Sequence, residues 1–174
     1  MQIISGKTEF WLEKPSAVAI GKFDGMHRGH RALLERIVEA KECGMQAVLF
    51  TFDPPPATFF SGKMQKGLTT KEEKRRLFRQ LGIDVLIEFP MNAQTAATPP
   101  EVFIRDILCA RMKTALIAAG TDLSFGDRGK GDCALLQRYA PECGYRVESI
   151  DKVYDGGEQI SSTRVRAAVE RGRM

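Results

Sequence analysis

Short apolar runs rich in β-branched residues recur along the chain, at residues 17–20, 47–52, 85–89, 115–119 and 145–153. Their length and composition predict five strands. Between them apolar residues return every three or four positions, as in Leu33, Leu34, Ile37 and Val38, then Leu77, Phe78 and Leu81, then Phe103 with Ile107, and Leu135 with Tyr139. That period is helical. Thr70-x-x-Glu73 and Thr98-Pro-Pro-Glu101 read as capping boxes that open two of these helices, and Gly44, Gly144 and Gly172 fit helix ends. Strands that alternate with helices predict a mostly parallel sheet covered on both faces, a Rossmann-like α/β fold of about five strands with its ligand at the carboxyl ends of the strands. The longest stretches without a periodic pattern, 53–67 and 120–130, are long enough to be functional loops.

A chain of 174 residues, 43% of them apolar, suffices for one core, so residues 1–174 are expected to form a single domain. No run approaches the roughly 20 apolar residues that cross a bilayer, and the first residues lack the basic-then-apolar order of a secretory signal. A soluble cytoplasmic protein without a membrane partner is expected. Cys43, Cys109, Cys133 and Cys143 are scattered, with no C-x-x-C pair and only two histidines to complete a zinc shell, so free thiols are expected. The net charge of +4 comes without long Lys/Arg runs, which favours a small anionic ligand over nucleic acid.

The first apolar run leads directly into Gly21-Lys-Phe-Asp-Gly-Met-His-Arg-Gly-His30, after which a helix begins. If that helix starts near His27, then His27 and His30 share a face at its N-terminus. Two imidazoles, free backbone N–H groups and the positive end of the helix dipole then meet at one point, which suits a phosphate. Gly25 and Gly29 let backbone approach such a ligand. Zinc fits less well, because two further ligands are missing. A second cradle is Ile160-Ser-Ser-Thr-Arg-Val-Arg166. Ser161 or Ser162 is a natural N-cap there, and Arg166 lies four residues beyond Ser162 on the same helix face.

Gly21-x-Phe-Asp-Gly-x-His-x-Gly-His30 resembles the nucleotide site of the HxGH nucleotidyltransferases. From about Ala17 to Arg171 the chain is similar to the adenylyltransferase domain of bacterial bifunctional riboflavin kinase/FMN adenylyltransferases. The resemblance implies the HxGH nucleotidyltransferase fold, with ATP held by Gly21, Phe23, Asp24, Gly25, His27 and His30. It further implies Ser162, Thr163 and Arg166 on the β and γ phosphates, and a magnesium ion whose ligands are unassigned. His27, His30 and Arg166 would be the catalytic groups at the reacting phosphates. The reaction implied is transfer of AMP from ATP to FMN, giving FAD and pyrophosphate.

Both cradles also occur in related enzymes that act on nicotinamide mononucleotide, pantetheine phosphate or glycerol phosphate, so the acceptor must be read elsewhere. Thr51-Phe-Asp-Pro-Pro-Pro56, Leu68-Thr-Thr-x-x-Glu-Lys74 and Gly120-Thr-Asp-Leu-Ser-Phe-Gly126 resemble segments of the FMN enzymes. They imply FMN bound by Pro54, Pro56, Asp122 and Phe125, with Arg128 as a neighbouring cation. Three positions depart from the family: Pro55 stands where histidine is common, Leu123 replaces phenylalanine, and Gly129 takes the place of an arginine, flanked by Arg128 and Lys130. Bifunctional relatives carry the riboflavin kinase in a second domain after the I-S-S-T motif, so no kinase domain is expected in residues 1–174. Three other readings stay open: a nucleotidyltransferase with another phosphorylated acceptor, a non-catalytic flavin or nucleotide sensor, and an interaction or scaffold protein, for which no apolar stripe or charged tail gives support.

Overall fold

The computed structural model describes residues 1–64, 67–152, 154, 155 and 158–172. Strands β1 (Gln2–Ser5), β2 (Ser16–Ile20), β3 (Gln46–Asp53), β4 (Val85–Pro90), β5 (Thr114–Gly120) and β6 (Arg146–Ile150) form one sheet in the order β1-β4-β3-β2-β5-β6. Every neighbouring pair is parallel. A short antiparallel hairpin, β7 (Tyr154–Asp155) with β8 (Glu158–Gln159), follows the sheet. The sheet has one strand more than the periodicity predicts. β1 is an edge strand of four residues paired only with β4, too short to carry an alternating signal. The last predicted strand ends at Ile150, three residues early.

Alternate residues of the central strands face opposite cores, as a sheet covered on both sides requires. Ala17, Ala19, Leu49, Leu86 and Leu116 meet Leu33, Leu34 and Ile37 of helix α1 (Arg28–Glu39). The floor beneath α1 is made of small residues, Ala17 and Ala19 of β2, Ala47 of β3 and Ala118 of β5, so the helix lies close to the sheet. Three further helices lie along the chain after β3: α2 (Pro56–Ser61), α3 (Lys71–Gln80) and α4 (Ala93–Ala96). Phe78 of α3 joins the α1 side. On the other face Val18, Ile20, Val48, Phe50, Ile87 and Ile117 pack on Phe103, Ile104, Ile107 and Leu108. Those four belong to a π-helical stretch, Phe103–Arg111, that continues the short helix α5 (Pro100–Val102). Buried hydroxyls answer carbonyls at the end of this stretch: Ser16 Oγ donates to Met112 O at 2.6 Å and Thr114 Oγ1 to Leu108 O at 2.5 Å.

The capping box at Thr70 forms as read, with Glu73 N–H donating to Thr70 Oγ1 at 3.2 Å and Thr70 N–H to Glu73 Oε2 at 2.7 Å. The one read at Thr98 does not. Pro99 is the N-cap, without a side-chain cap bond, because the two prolines that follow Thr98 shift the helix start and offer no N–H. Gly44 ends the turn after α1 and Gly144 ends helix α6 (Cys133–Cys143), both left-handed as expected. Gly172 also has a positive φ, two residues past helix α7 (Ser162–Glu170).

The strand order places the start of the chain's crossovers in opposite directions from β2, toward β3 on one side and β5 on the other. Such a switch point leaves a crevice outside the carboxyl ends of the two strands. Gly21, just after β2, and Gly120, the last residue of β5, stand there.

Candidate active site

Beyond Ile20 the chain leaves the sheet with Gly21 N–H donating to the Phe50 carbonyl at 3.1 Å. The turn that follows is tight: Phe23, Gly25 and Met26 all have positive φ. Phe23 holds the turn in place, for its ring is fully buried, edge-on to Phe78 and 5.2 Å from the His30 ring. It therefore supports the site from the core and does not line it. Gly25 carries φ +73°, and a Cβ there would lie 2.4 Å from Leu68 Cδ1. The turn is thus fitted against the segment that precedes α3.

His27 is the N-cap of α1, and its Nδ1 accepts from the His30 N–H at 3.4 Å. The two imidazole rings stack at 3.7 Å with 20° between planes. His30 Nδ1 is buried without a hydrogen-bond partner. Burial, then the neighbouring His27 ring, with Lys74 adding and Asp24 opposing, pushes the His30 pKa down to about 4. Burial also lowers His27, against the pull of Asp122. Both rings are therefore neutral at pH 7, with one ring N–H each to donate.

The second cradle opens α7. Ser161 is the N-cap, its Oγ accepting from Arg164 N–H at 3.2 Å, which decides between the two serines. The Ser162 side chain lies outside the described residues, and Thr163 is exposed. Arg166 crosses to the first motif: its Nη2 donates to Asp24 Oδ2 at 2.9 Å. Asp24 is only 9% exposed. Its other oxygen, Oδ1, accepts from Leu68 N–H at 3.0 Å and lies 3.5 Å from Lys74 Nζ. The segment from Leu68 to Lys74 therefore packs on the loop of the first motif. The sequence reading named Lys74 only as the end of that segment and gave it no role of its own.

A cavity of about 510 Å³ occupies the switch point. Gly21, His27, His30 and Ser161 line one part of it, with Lys22 and Lys152 near the mouth. The rest is apolar, walled by Phe52, Pro56, Phe89, Phe103, Leu123 and Phe125. Asp122 lines it too, with Lys152 Nζ at 4.0 Å from its carboxylate. Phe125 is pinned by a two-way backbone bridge to Gly131, and a Cβ on Gly131 would stand 2.5 Å from its ring. Of the residues expected on the flavin side, Pro56, Asp122 and Phe125 reach the cavity, while Pro54 and Arg128 are not on its wall. Gly129 lines it, and Arg128, with φ +52°, is exposed beside it, as is Lys130. Sequence reading missed Phe52, Phe89 and Phe103, which look like ordinary core aromatics until the sheet end exposes one edge of the cluster to the cavity.

Among the described residues no group of three His, Cys, Asp or Glu is placed to hold a metal ion. Magnesium bound to a nucleotide takes one or two protein carboxylates and leaves the remaining positions to phosphates and water. The carboxylates of Asp24, beside the histidine pair, and of Asp122, on the cavity wall, are compatible with that pattern. No helix among the described residues is long and apolar enough to cross a membrane.

Comparison with known proteins bears on the same residues. The family model described as FAD synthetase matches residues 10–164. A putative bifunctional riboflavin kinase/FMN adenylyltransferase of Geobacillus thermodenitrificans is 38% identical over 158 residues, covering 90% of this chain and 84% of its own. The bifunctional riboflavin kinase/FMN adenylyltransferase of Escherichia coli K12 is 35% identical over 154 residues, 87% of this chain and 49% of its own. That of Listeria monocytogenes is 32% identical over 170 residues, 96% of this chain and 54% of its own. The chain thus spans about half the length of these last two relatives. A crystal structure titled as a macrolide-efflux protein of Streptococcus pneumoniae superposes with a TM-score of 0.81 at 25% identity, over 99% of this chain and 58% of that one. With the glycine–histidine loop and helix α7 meeting at one switch point and the match running through nearly all of the sheet, the chain belongs to the FAD synthetase family.

Proposed function

We propose that this chain is an FMN adenylyltransferase: it transfers AMP from ATP to FMN, forming FAD and releasing pyrophosphate. The observation that carries the reading is the union, in one crevice, of a stacked histidine pair at a helix N-terminus with a cavity half walled by aromatic rings. The histidine pair at the helix N-terminus suits phosphates, and the aromatic lining suits a hydrophobic ring system.

An FMN phosphate oxygen attacks the α-phosphorus of ATP in line. The new O–P bond forms as the bond from the α-phosphorus to the bridging oxygen breaks, and that oxygen departs on pyrophosphate. No covalent enzyme intermediate is required, so the task is positioning and charge stabilisation. His27 and His30 donate hydrogen bonds to the non-bridging oxygens of the transferring phosphate, where charge is redistributed in the transition state. Arg166 and the N-terminus of α7, including Thr163, hold the leaving pyrophosphate. Magnesium carried by the triphosphate supplies further neutralisation of its charge. Pro56, Phe125 and the neighbouring aromatic wall hold the flavin, and Asp122 offers an acceptor at the cavity edge. Gly129 in place of the family's arginine leaves a cation to be supplied by Arg128 or Lys130, and a glycine with φ +64° gives the loop the freedom to turn either inward.

The test is incubation of the chain with ATP, magnesium and FMN, with FAD and pyrophosphate quantified together. FAD is expected, and adenylylation of another phosphorylated acceptor in place of FMN would overturn the reading.

A further inference from the structure

Among the described residues, the buried side-chain polar atoms without a hydrogen-bond partner are His30 Nδ1, Thr69 Oγ1 and Arg166 Nε. They come from three segments far apart in sequence, the first turn of α1, the segment before α3 and helix α7. Those segments meet at Asp24, which accepts from Leu68 N–H and Arg166 Nη2 and lies beside Lys74. Buried polar groups are ordinarily satisfied, so unpaired polar atoms gathered around one carboxylate and two cations mark a place built for a polar ligand. Asp24 holds Arg166 through Nη2, and Nε, which shares that edge of the guanidinium, has no acceptor. A guanidinium so held keeps a donor for a phosphate oxygen.

We propose that Asp24 is a positioning residue that holds Arg166 and Lys74 toward the same triphosphate, and that Lys74 contacts the phosphates that ATP has and AMP lacks. The proposal rests on the nucleotide reading above and deepens it. Asp24 acts through the two cations: its carboxylate keeps both side chains near the histidine pair without a ligand, so that little side-chain order has to be imposed when ATP arrives. Lys74 is delivered by α3, whose first turn is fixed by the Thr70 and Glu73 cap. The segment that carries this cap has then a clear task on the nucleotide side.

The test is titration calorimetry of the whole chain with magnesium–ATP and with AMP, in the absence of FMN, for wild type, Lys74→Met, Arg166→Met, Asp24→Asn and the Asp24→Asn/Arg166→Met pair. Loss of either cation is expected to weaken ATP about ten-fold, the size of one charge-assisted bond, and to leave AMP nearly unchanged. Lys74→Arg is expected to restore most of the ATP affinity. Asp24→Asn, which keeps an oxygen for Leu68 N–H, is expected to weaken ATP several-fold in the native background and to cost much less once Arg166 is methionine, since coupled residues are not additive. Losses that simply multiply, equal losses for ATP and AMP, or unchanged ATP affinity in Asp24→Asn would overturn the proposal. If Asp24→Asn does not fold, Lys74→Met decides alone: an ATP-selective loss upholds the shared site and wild-type affinity overturns it. Wild type that binds ATP in this way but forms no FAD would sink the functional reading and leave the positioning role standing; FAD formation with no ATP selectivity in the variants would do the reverse.

Discussion

His30 carries two consequences of being tucked under its neighbour. Its pKa of about 4 in the folded chain lies below the ordinary 6.5, so as pH falls the unfolded chain takes up this proton first. The contribution to stability is complete above about pH 6.5 and is lost progressively as pH falls toward about 4. Allowing for partial exposure, the loss is on the order of 2 kcal/mol. Urea denaturation at pH 7 and pH 5 is expected to show a smaller pH effect for His30→Gln than for wild type; identical pH effects would mean that the ring does not titrate as its surroundings dictate. At the reacting phosphate the same ring, and that of His27, would act mainly in the transition state. Replacing either by alanine is expected to lower kcat by roughly 10²–10³-fold while changing ATP binding far less, as for loss of one preorganised donor. Steady-state kinetics with FMN and ATP check this, and an unchanged kcat would remove the histidines from the chemistry. The spacing His27-x-x-His30 made the shared face legible in sequence. The ion pair from Arg166 to Asp24 was not, because residues 142 apart in sequence are brought together only by the folded sheet and the course of α7.

The turns between elements hold the site by steric fit. Gly126 has φ +73° and ψ −174°, a conformation reserved for glycine, and a Cβ there would stand 2.7 Å from the Pro100 backbone. Gly25 shares the positive φ, but its Cβ would meet the tip of the Leu68 side chain, which can move aside. Gly25→Ala is therefore expected to cost about 1–2 kcal/mol and Gly126→Ala more, about 3 kcal/mol or above. Thermal or urea denaturation of the two variants ranks them, and the reverse order would contradict the account. Element types were largely legible, since the strands and the main helices follow strong periodic signals. The π-helical stretch was not, because Phe103 and Ile107 satisfy an α-helical period equally well. The short helix α2 was hidden in a proline-rich loop, where Pro56 at its first turn and Gly62 at its end are the only signals.

At the scale of the molecule, the strand order is what turns two separate motifs into one site. β2 and β5 release their chains on opposite sides of the sheet, and the crevice between them receives the glycine turn, the histidine pair, Asp122 and the aromatic wall together. The alternation of strands and helices foretold a crevice of this kind, but not which segments pack around it. Packing decides that: the segment from Leu68 to Lys74 closes on Asp24, and the aromatic cluster around Phe103 opens on the cavity. The central claim is that this crevice joins ATP to FMN. The measurement that tests it most directly follows FAD and pyrophosphate by chromatography and a coupled phosphate assay as the chain is incubated with ATP, magnesium and FMN. Equimolar FAD and pyrophosphate, both abolished together in His27→Ala/His30→Ala, is the expected result; no FAD from FMN, or FAD formation undiminished in that double variant, would contradict it.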